Sequence, residues 1–228
     1  MGRDGKINNH IFFKFKTDSP EAIEFRRIFS KIQGLNNSQQ IKNVMITSAV
    51  SGEGKSTIAT FLAITCSRYG NGKTLLIDSD LRRPKIHKIL AMEKKDGLAD
   101  ILRGEIKPLK AVKNTNLKNL NVITCGYLNG SPTKLLNLNN LKKIFAELQW
   151  VFETIIIDSP PIVPVNDSLI LNSVADTTLL VVKAGKTQKE VAKRAVELIQ
   201  DAGAKNIALL VNNINNVLPY YYDYKYYK

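Results

Sequence analysis

The sequence has few cysteines and no long apolar run, and these two features exclude several classes of protein. Two cysteines, Cys66 and Cys125, occur among 228 residues, so we expect buried free thiols in a reducing compartment and no disulfide framework. No apolar run approaches the roughly 20 residues of a transmembrane helix. The apolar patch at residues 11–13 is too short for a signal peptide. We therefore expect a cytoplasmic protein that does not itself span a membrane.

Acidic residues are scarce relative to basic ones. The chain has 20 Asp and Glu against 33 Lys and Arg, which gives a net charge of +13. Such a charge favours acidic partners, including nucleotides, anionic lipids and acidic protein surfaces. The basic residues are scattered along the chain and do not form one basic arm, so binding to nucleic acid is not favoured. The length suits one α/β domain with a sizeable core.

Short apolar segments alternate with helical patterns along the chain. The predicted strands are Val44–Thr47, Thr74–Ile77, Asn121–Thr124, Thr154–Ile157, Thr178–Val182 and Ile207–Val211. The predicted helices include residues 21–33, 56–69, 139–150 and 189–202, and a polar loop is expected over residues 34–40. Runs that are apolar on both faces are typical of buried parallel strands. We therefore predict an α/β fold with a mostly parallel central sheet and helices on both faces, in which ligands bind at the carboxyl ends of the strands.

The segment after the first predicted strand matches a phosphate-binding loop in all but its first position. Residues 49–56 read Ala-Val-Ser-Gly-Glu-Gly-Lys-Ser, whereas the P-loop pattern begins with Gly. Glycines at positions 52 and 54 let backbone N–H groups approach phosphate oxygens. Lys55 would bind the β- and γ-phosphates and Ser56 would bind magnesium. The predicted nucleotide-binding residues here are Ser51, Gly52, Glu53, Gly54, Lys55, Ser56 and Thr57.

Aspartates follow two of the predicted strands. Asp78 and Asp80 come after the second strand, and Asp158 ends the apolar run that precedes Pro160 and Pro161. Carboxylates at such strand ends can hold magnesium directly or through water, and one of them can accept a proton. An apolar strand that ends in Asp is the Walker B arrangement. Together with the phosphate loop, these residues predict a P-loop NTPase fold with a site for ATP and Mg²⁺.

The three motifs together resemble those of the bacterial tyrosine kinases of capsule and exopolysaccharide systems. They read Gly-Glu-Gly-Lys-Ser at 52–56, Asp-Ser-Asp-Leu-Arg at 78–82 and Asp-Ser-Pro-Pro at 158–161. The Ala-Gly-Lys-Thr segment at 184–187 is similar as well. The resemblance extends from about residue 20 to the tail. It implies transfer of a phosphoryl group from ATP to tyrosine, in the regulation of polysaccharide synthesis or export.

This resemblance also implies a role for each matching residue. Lys55 and Ser56 would bind phosphate and magnesium, and Asp80 and Asp158 would position the magnesium ion. Asp78 would orient or deprotonate the attacking tyrosine hydroxyl. Two further nucleotide contacts are implied, from Arg82 and from Asn212, the latter at the position where related proteins contact adenine.

The end of the chain is rich in tyrosine. Residues 220–228 contain six of the eight tyrosines of the chain, namely Tyr220, Tyr221, Tyr222, Tyr224, Tyr226 and Tyr227. The segment has no aliphatic residue and no helical pattern, which is typical of a chain end that can move. With the kinase motifs, it is predicted to accept phosphate in the active site of another protomer; alone, it would suggest a tail that packs on a partner or on lipid. The predicted organisation is an arm over 1–19, a kinase domain over 20–217 and a tail over 218–228.

The same resemblance implies partners. Kinases of this family are switched on by a membrane adaptor, so we expect a separate transmembrane adaptor chain and a location at the inner face of the membrane. Phosphorylation between protomers implies self-association. Glu24 and Arg27 match the first two positions of the family's Glu-x-x-Arg-x-x-Arg assembly pattern, but Ser30 stands at the third, so the ring-forming pattern is incomplete. A tyrosine phosphatase and enzymes of sugar-nucleotide or polysaccharide metabolism would also fit.

Two other functions share the phosphate loop. A partition-type ATPase, similar to septum-site or chromosome-partition proteins, would typically carry a second lysine where this chain has Val50, and it has no use for a tyrosine tail. A nucleotide switch without kinase activity would use its basic surface to bind membrane or nucleic acid. Transfer of the γ-phosphate to the tail distinguishes the kinase from both.

Overall fold

A computed structural model describes residues 19–36 and 41–213. Strands in this part of the chain form one sheet in the order β3-β4-β2-β5-β1-β6-β7. Its neighbours pair in parallel, except for β3 and β4, which are antiparallel. The mostly parallel sheet that was predicted is thus confirmed. The strands are β1 Asn43–Ser48, β2 Thr74–Asp78, β3 Lys113–Asn114, β4 Leu120–Ile123, β5 Thr154–Asp158, β6 Thr177–Lys183 and β7 Ile207–Asn212.

Helices flank the sheet. They are α1 Pro20–Asn36, α2 Lys55–Tyr69, α3 Ile86–Ile89, α4 Leu98–Leu102, α5 Pro132–Leu135, α6 Leu138–Gln149, α7 Asp167–Asn172 and α8 Lys189–Asp201, with a 3₁₀ turn at Pro108–Lys110. The loop predicted over residues 34–40 is wrong at its start, because α1 continues to Asn36, and residues 37–40 lie outside the described residues. A glycine costs a helix only about 1 kcal/mol relative to alanine, so the rest of the helix outweighs it. None of the helices in the described residues combines the length and hydropathy needed to cross a membrane.

Alternate residues of the central strands pack on opposite faces of the sheet. In β1, Val44 and Ile46 pack with α1, α2 and α3, whereas Met45 packs with α4, α6 and α7. A third cluster joins β6 to α8 through contacts that include Leu180 and Ile199. Because both faces are covered by helices, ligands have access to the sheet at its edges.

The order of the strands brings the predicted motifs together. Strand β5 lies between β1 and β2, so its last residue, Asp158, lies opposite both Ile46 and Asp78. The loop that follows β1 leads into α2, and residues 79–85 follow β2. All three motifs therefore meet at the carboxyl edge of the sheet. The predicted tail, and the predicted arm up to residue 18, lie outside the described residues.

Candidate active site

The loop between β1 and α2 has the backbone conformation that a phosphate loop needs. Gly52 and Gly54 have φ angles of +87° and +97°, a region that favours glycine. Asn212, at the end of β7, donates a hydrogen bond from Nδ2 to the Glu53 carbonyl oxygen at 2.8 Å. A Cβ atom on Gly54 would lie 2.3 Å from that nitrogen. Asn212, which the resemblance assigns to the nucleotide, therefore packs directly against the phosphate loop.

This close approach predicts that Gly54→Ala weakens nucleotide binding. The substitution combines a strained φ angle, which costs about 1–3 kcal/mol, with displacement of the Asn212 amide. We expect the Kd for ATP to rise at least about tenfold. Gly104→Ala is the matched control, because Gly104 has φ +77° but no atom within 4 Å of the added Cβ. Titration calorimetry with ATP measures both variants; equal affinities would contradict the packing argument.

Lys55 joins the phosphate loop to the two aspartate motifs. Its Nζ atom lies 2.8 Å from Oδ2 of Asp80, 3.3 Å from Oδ1 of Asp158 and 3.3 Å from Oγ of Ser56. All four residues are buried. Burial acts to lower the pKa of Lys55, but the charges of Asp158 and Asp80 outweigh it and raise that pKa above its ordinary value. The lysine is therefore a cation, and it offsets part of the charge of the two carboxylates.

Asp78 lies beside this cluster with one oxygen held and one available. Its Oδ2 atom accepts hydrogen bonds from the backbone N–H groups of Lys85 and Ile86, at 3.1 and 3.0 Å. Its Oδ1 atom is buried and has no hydrogen-bond partner within the described part of the chain. Burial, and then the charge of Asp158, raise the pKa of Asp78 to about 8. The raised pKa makes this carboxylate a stronger base once it is ionised, and it can then accept a proton.

The oxygen atoms of this site fit a magnesium ion. Oδ2 of Asp158 is buried and, among the described residues, has no hydrogen-bond partner. In residues 19–36 and 41–213, no three His, Cys, Asp or Glu side chains form a metal cluster by themselves. Magnesium commonly keeps several waters and binds one or two carboxylates together with nucleotide phosphates. Ser56, Asp80 and Asp158 are thus a suitable protein contribution to such a shell.

Arg82 does not join this cluster. Its Nε atom lies 2.6 Å from Oδ2 of Asp167, and its Nη2 atom donates to the other oxygen at 3.2 Å. The Thr133 hydroxyl donates to the same carboxylate at 2.8 Å. The guanidinium therefore links the starts of α5 and α7, and its contact with the nucleotide stays a prediction. Asp167 and Thr133 lie in short helices and carry no sequence pattern that marks them.

The remaining loop residues have different surroundings. Ser51 and Thr57 are exposed, whereas Glu53 is fully buried and accepts a hydrogen bond from the hydroxyl of Thr187. Thr187 and its neighbour Lys186 follow β6 at the same edge of the sheet. The sequence analysis noted that residues 184–187 resemble the kinase family but assigned no role to Lys186 or Thr187.

Comparisons with known proteins find similar proteins over almost the whole chain. The family model described as "ParA: NUBPL iron-transfer P-loop NTPase" matches residues 40–222. "Tyrosine-protein kinase YwqD" of Bacillus subtilis (strain 168) is 35% identical over 225 residues, which cover 99% of this chain and 94% of that protein. "Putative tyrosine-protein kinase CapB" of Staphylococcus aureus is 34% identical over 226 residues, 98% of this chain and 99% of that protein. The solved structure titled "Crystal structure of the chimerical protein CapA2B2" has a TM-score of 0.83, 28% identity and 90% coverage of each chain.

The fold, the phosphate loop and the matching family define a P-loop NTPase, which binds a nucleotide. The chain belongs to the family of bacterial tyrosine-protein kinases, because two relatives with that name align with almost its whole length. The prediction of an ATP-dependent protein-tyrosine kinase is therefore confirmed. The partition-type ATPase has no better support from these relatives.

Proposed function

We propose that this chain transfers the γ-phosphoryl group of ATP to tyrosines of its own tail, and thereby regulates the synthesis or export of a capsular polysaccharide or exopolysaccharide. The observation that supports the chemistry most directly is the contact of Lys55 with both Asp80 and Asp158, at 2.8 and 3.3 Å. These residues come from three separate motifs. The polysaccharide pathway is supported by the resemblance of those motifs.

The first step of the proposed mechanism is binding of ATP with Mg²⁺. The N–H groups of the phosphate loop and the ammonium group of Lys55 would bind the phosphates, while Ser56, Asp80 and Asp158 hold the metal ion. The bound Mg²⁺ supplies charge neutralisation for the phosphates. Because Lys55 pairs with both aspartates, we expect its ammonium group to turn from them towards the phosphates when ATP binds.

The second step is phosphoryl transfer to the acceptor. The available oxygen of Asp78 would hold the tyrosine hydroxyl and accept its proton. A bond then forms between the tyrosine oxygen and the γ-phosphorus, while the bond from that phosphorus to the β-γ bridging oxygen breaks and ADP leaves. The rate enhancement would come mainly from positioning and from neutralisation of charge.

The proposed partners follow from the acceptor and from the resemblance. Tail tyrosines that enter a neighbour's site require self-association, and we propose a separate transmembrane adaptor that recruits the kinase to the inner face of the membrane. In α1, Glu24 and Arg27 form an ion pair with each other at 2.5 Å. Removal of the phosphate would require a tyrosine phosphatase.

The labelling experiment tests this proposal. Purified full-length protein is incubated with γ-labelled ATP and Mg²⁺, with and without the cytoplasmic segment of a candidate adaptor, and the label is mapped. We expect phosphotyrosine within residues 220–227. ATP hydrolysis without tyrosine label under both conditions would contradict the proposal and would favour the partition-type ATPase or the nucleotide switch. Measuring whether DNA or lipid stimulates the hydrolysis would then distinguish these two alternatives.

A further inference from the structure

The loop between β6 and α8 is tied to the phosphate loop. Both carboxylate oxygens of the buried Glu53 are used: one accepts a hydrogen bond from the Val50 N–H group at 2.8 Å, and the other accepts one from the Thr187 hydroxyl. The Thr187 oxygen in turn accepts a hydrogen bond from the Lys183 N–H group at 2.8 Å. A buried carboxylate needs such donors, because burial without them is costly. The position of the β6–α8 loop is therefore coupled to that of the phosphate loop.

This coupling places a second lysine over the phosphate loop. Lys186 precedes Thr187, and its N–H group donates to the carbonyl oxygen of Lys183 at 3.1 Å, which closes a tight turn. Its ammonium nitrogen lies 3.5 Å from the position that a Cβ atom on Gly52 would occupy. The side chain is exposed, and none of the ion pairs of the described residues involves it. Its charge is thus available next to Gly52 of the phosphate loop.

The charges of the site call for another cation. ATP and the buried carboxylates of Asp80 and Asp158 carry more negative charge than Mg²⁺ and Lys55 can neutralise. Arg82 already pairs with Asp167, so part of its charge is neutralised there. The ammonium group of Lys186, close to Gly52, would supply part of this charge, and its attraction is greatest where the phosphate charge is greatest, at the terminal phosphate.

We infer that Lys186 contacts the terminal phosphate of ATP, and that Glu53 and Thr187 act as positioning residues for this lysine. Lys186 would then make the site prefer ATP to ADP, since ADP lacks the group that it holds. The inference rests on the ATP-binding part of the proposed function and not on the identity of the phosphate acceptor.

The test compares two nucleotides with the full-length protein. Titration calorimetry gives the Kd of the magnesium complexes of a non-hydrolysable ATP analogue and of ADP. Lys186→Ala is expected to raise the Kd of the ATP analogue about tenfold and to leave the Kd of ADP within about twofold, because a charge-assisted hydrogen bond to the terminal phosphate is lost. Lys186→Arg should keep the preference. Lys189→Ala, which removes a nearby exposed charge at the start of α8, should change neither the Kd of the ATP analogue nor that of ADP.

The positioning role has its own readout. Thr187→Val keeps the shape of the side chain but removes the hydroxyl that bonds to Glu53, so it should lower the preference for ATP several-fold, and Thr187→Ser should restore it. If Lys186→Ala weakens both nucleotides equally, or neither, the inference is wrong. A wild-type protein that prefers ATP through Lys186 but labels no tail tyrosine would overturn the proposed autophosphorylation and leave this inference intact.

Discussion

Replacement of Lys55 by methionine should lower tyrosine phosphorylation by about two to three orders of magnitude or more, the range found when one preorganised donor is removed from a reacting site. Methionine has a similar length but no charge, so it can neither bind the phosphates nor neutralise charge that develops during transfer. The measurement is the initial rate of phosphotyrosine formation from γ-labelled ATP. Lys73→Met is the matched control, because Lys73 is exposed and comes directly before β2, at the end of that strand away from the site.

The same substitution has a structural cost, which must be separated from the catalytic one. Lys55 is the cation between the buried carboxylates of Asp80 and Asp158, and loss of one partner of a buried ion pair typically costs about 3–5 kcal/mol. Chemical unfolding of the variant measures this cost. Lys55→Arg keeps the charge in a different geometry, so it should preserve the fold better while still losing most activity. Undiminished labelling by a folded Lys55→Met protein would show that the phosphates are bound elsewhere.

Replacement of the six tail tyrosines by phenylalanine should remove most phosphotyrosine and leave ATP binding unchanged. The phosphotyrosine label that remains should be below about a tenth of the wild-type label, because transfer needs an acceptor that can reach in-line geometry. Phenylalanine keeps the aromatic ring of each tail residue and removes only the hydroxyl. The Kd for ATP, measured in parallel, controls for damage to the site.

Two tyrosines remain in that variant and serve as its internal controls. The Tyr69 hydroxyl accepts a hydrogen bond from Arg26 at 3.1 Å, and the guanidinium also lies over its ring. Tyr127 is more accessible, with 57% of its surface exposed. Adding Tyr69→Phe or Tyr127→Phe to the tail variant should change the remaining label little. Full labelling of the tail variant would instead assign the acceptor to one of these two residues.

Much of the fold was predictable because its signals are local. Residues 154–157 are β-branched and apolar on both faces, and they form the core of β5, which is buried by helices on both sides. One exception is β3, whose two residues, Lys113 and Asn114, pair antiparallel with β4. Two polar residues are too few to show a hydrophobic periodicity, so they form a strand only because they pair with the neighbouring strand.

The site divides in the same way. The chemical groups were predictable, because Lys55, Asp80 and Asp158 each lie in a short motif next to a strand. Arg82 lay in the same kind of motif, yet its guanidinium pairs with Asp167, 85 residues further along the chain. A motif indicates where the backbone of a residue lies relative to a strand. It does not determine which distant residue the side chain contacts.

The sequence by itself determined the kind of chemistry, since glycines, a lysine and carboxylates at strand ends are what phosphate and magnesium require. Only the tertiary structure decided which of them act together. Asp158 lies 103 residues after Lys55 and reaches it because β5 inserts between β1 and β2. Lys186 reaches the phosphate loop because the Glu53 carboxylate holds the next residue, Thr187. Strand order and buried hydrogen bonds depend on contacts between distant segments, and such contacts leave no periodic pattern in the sequence.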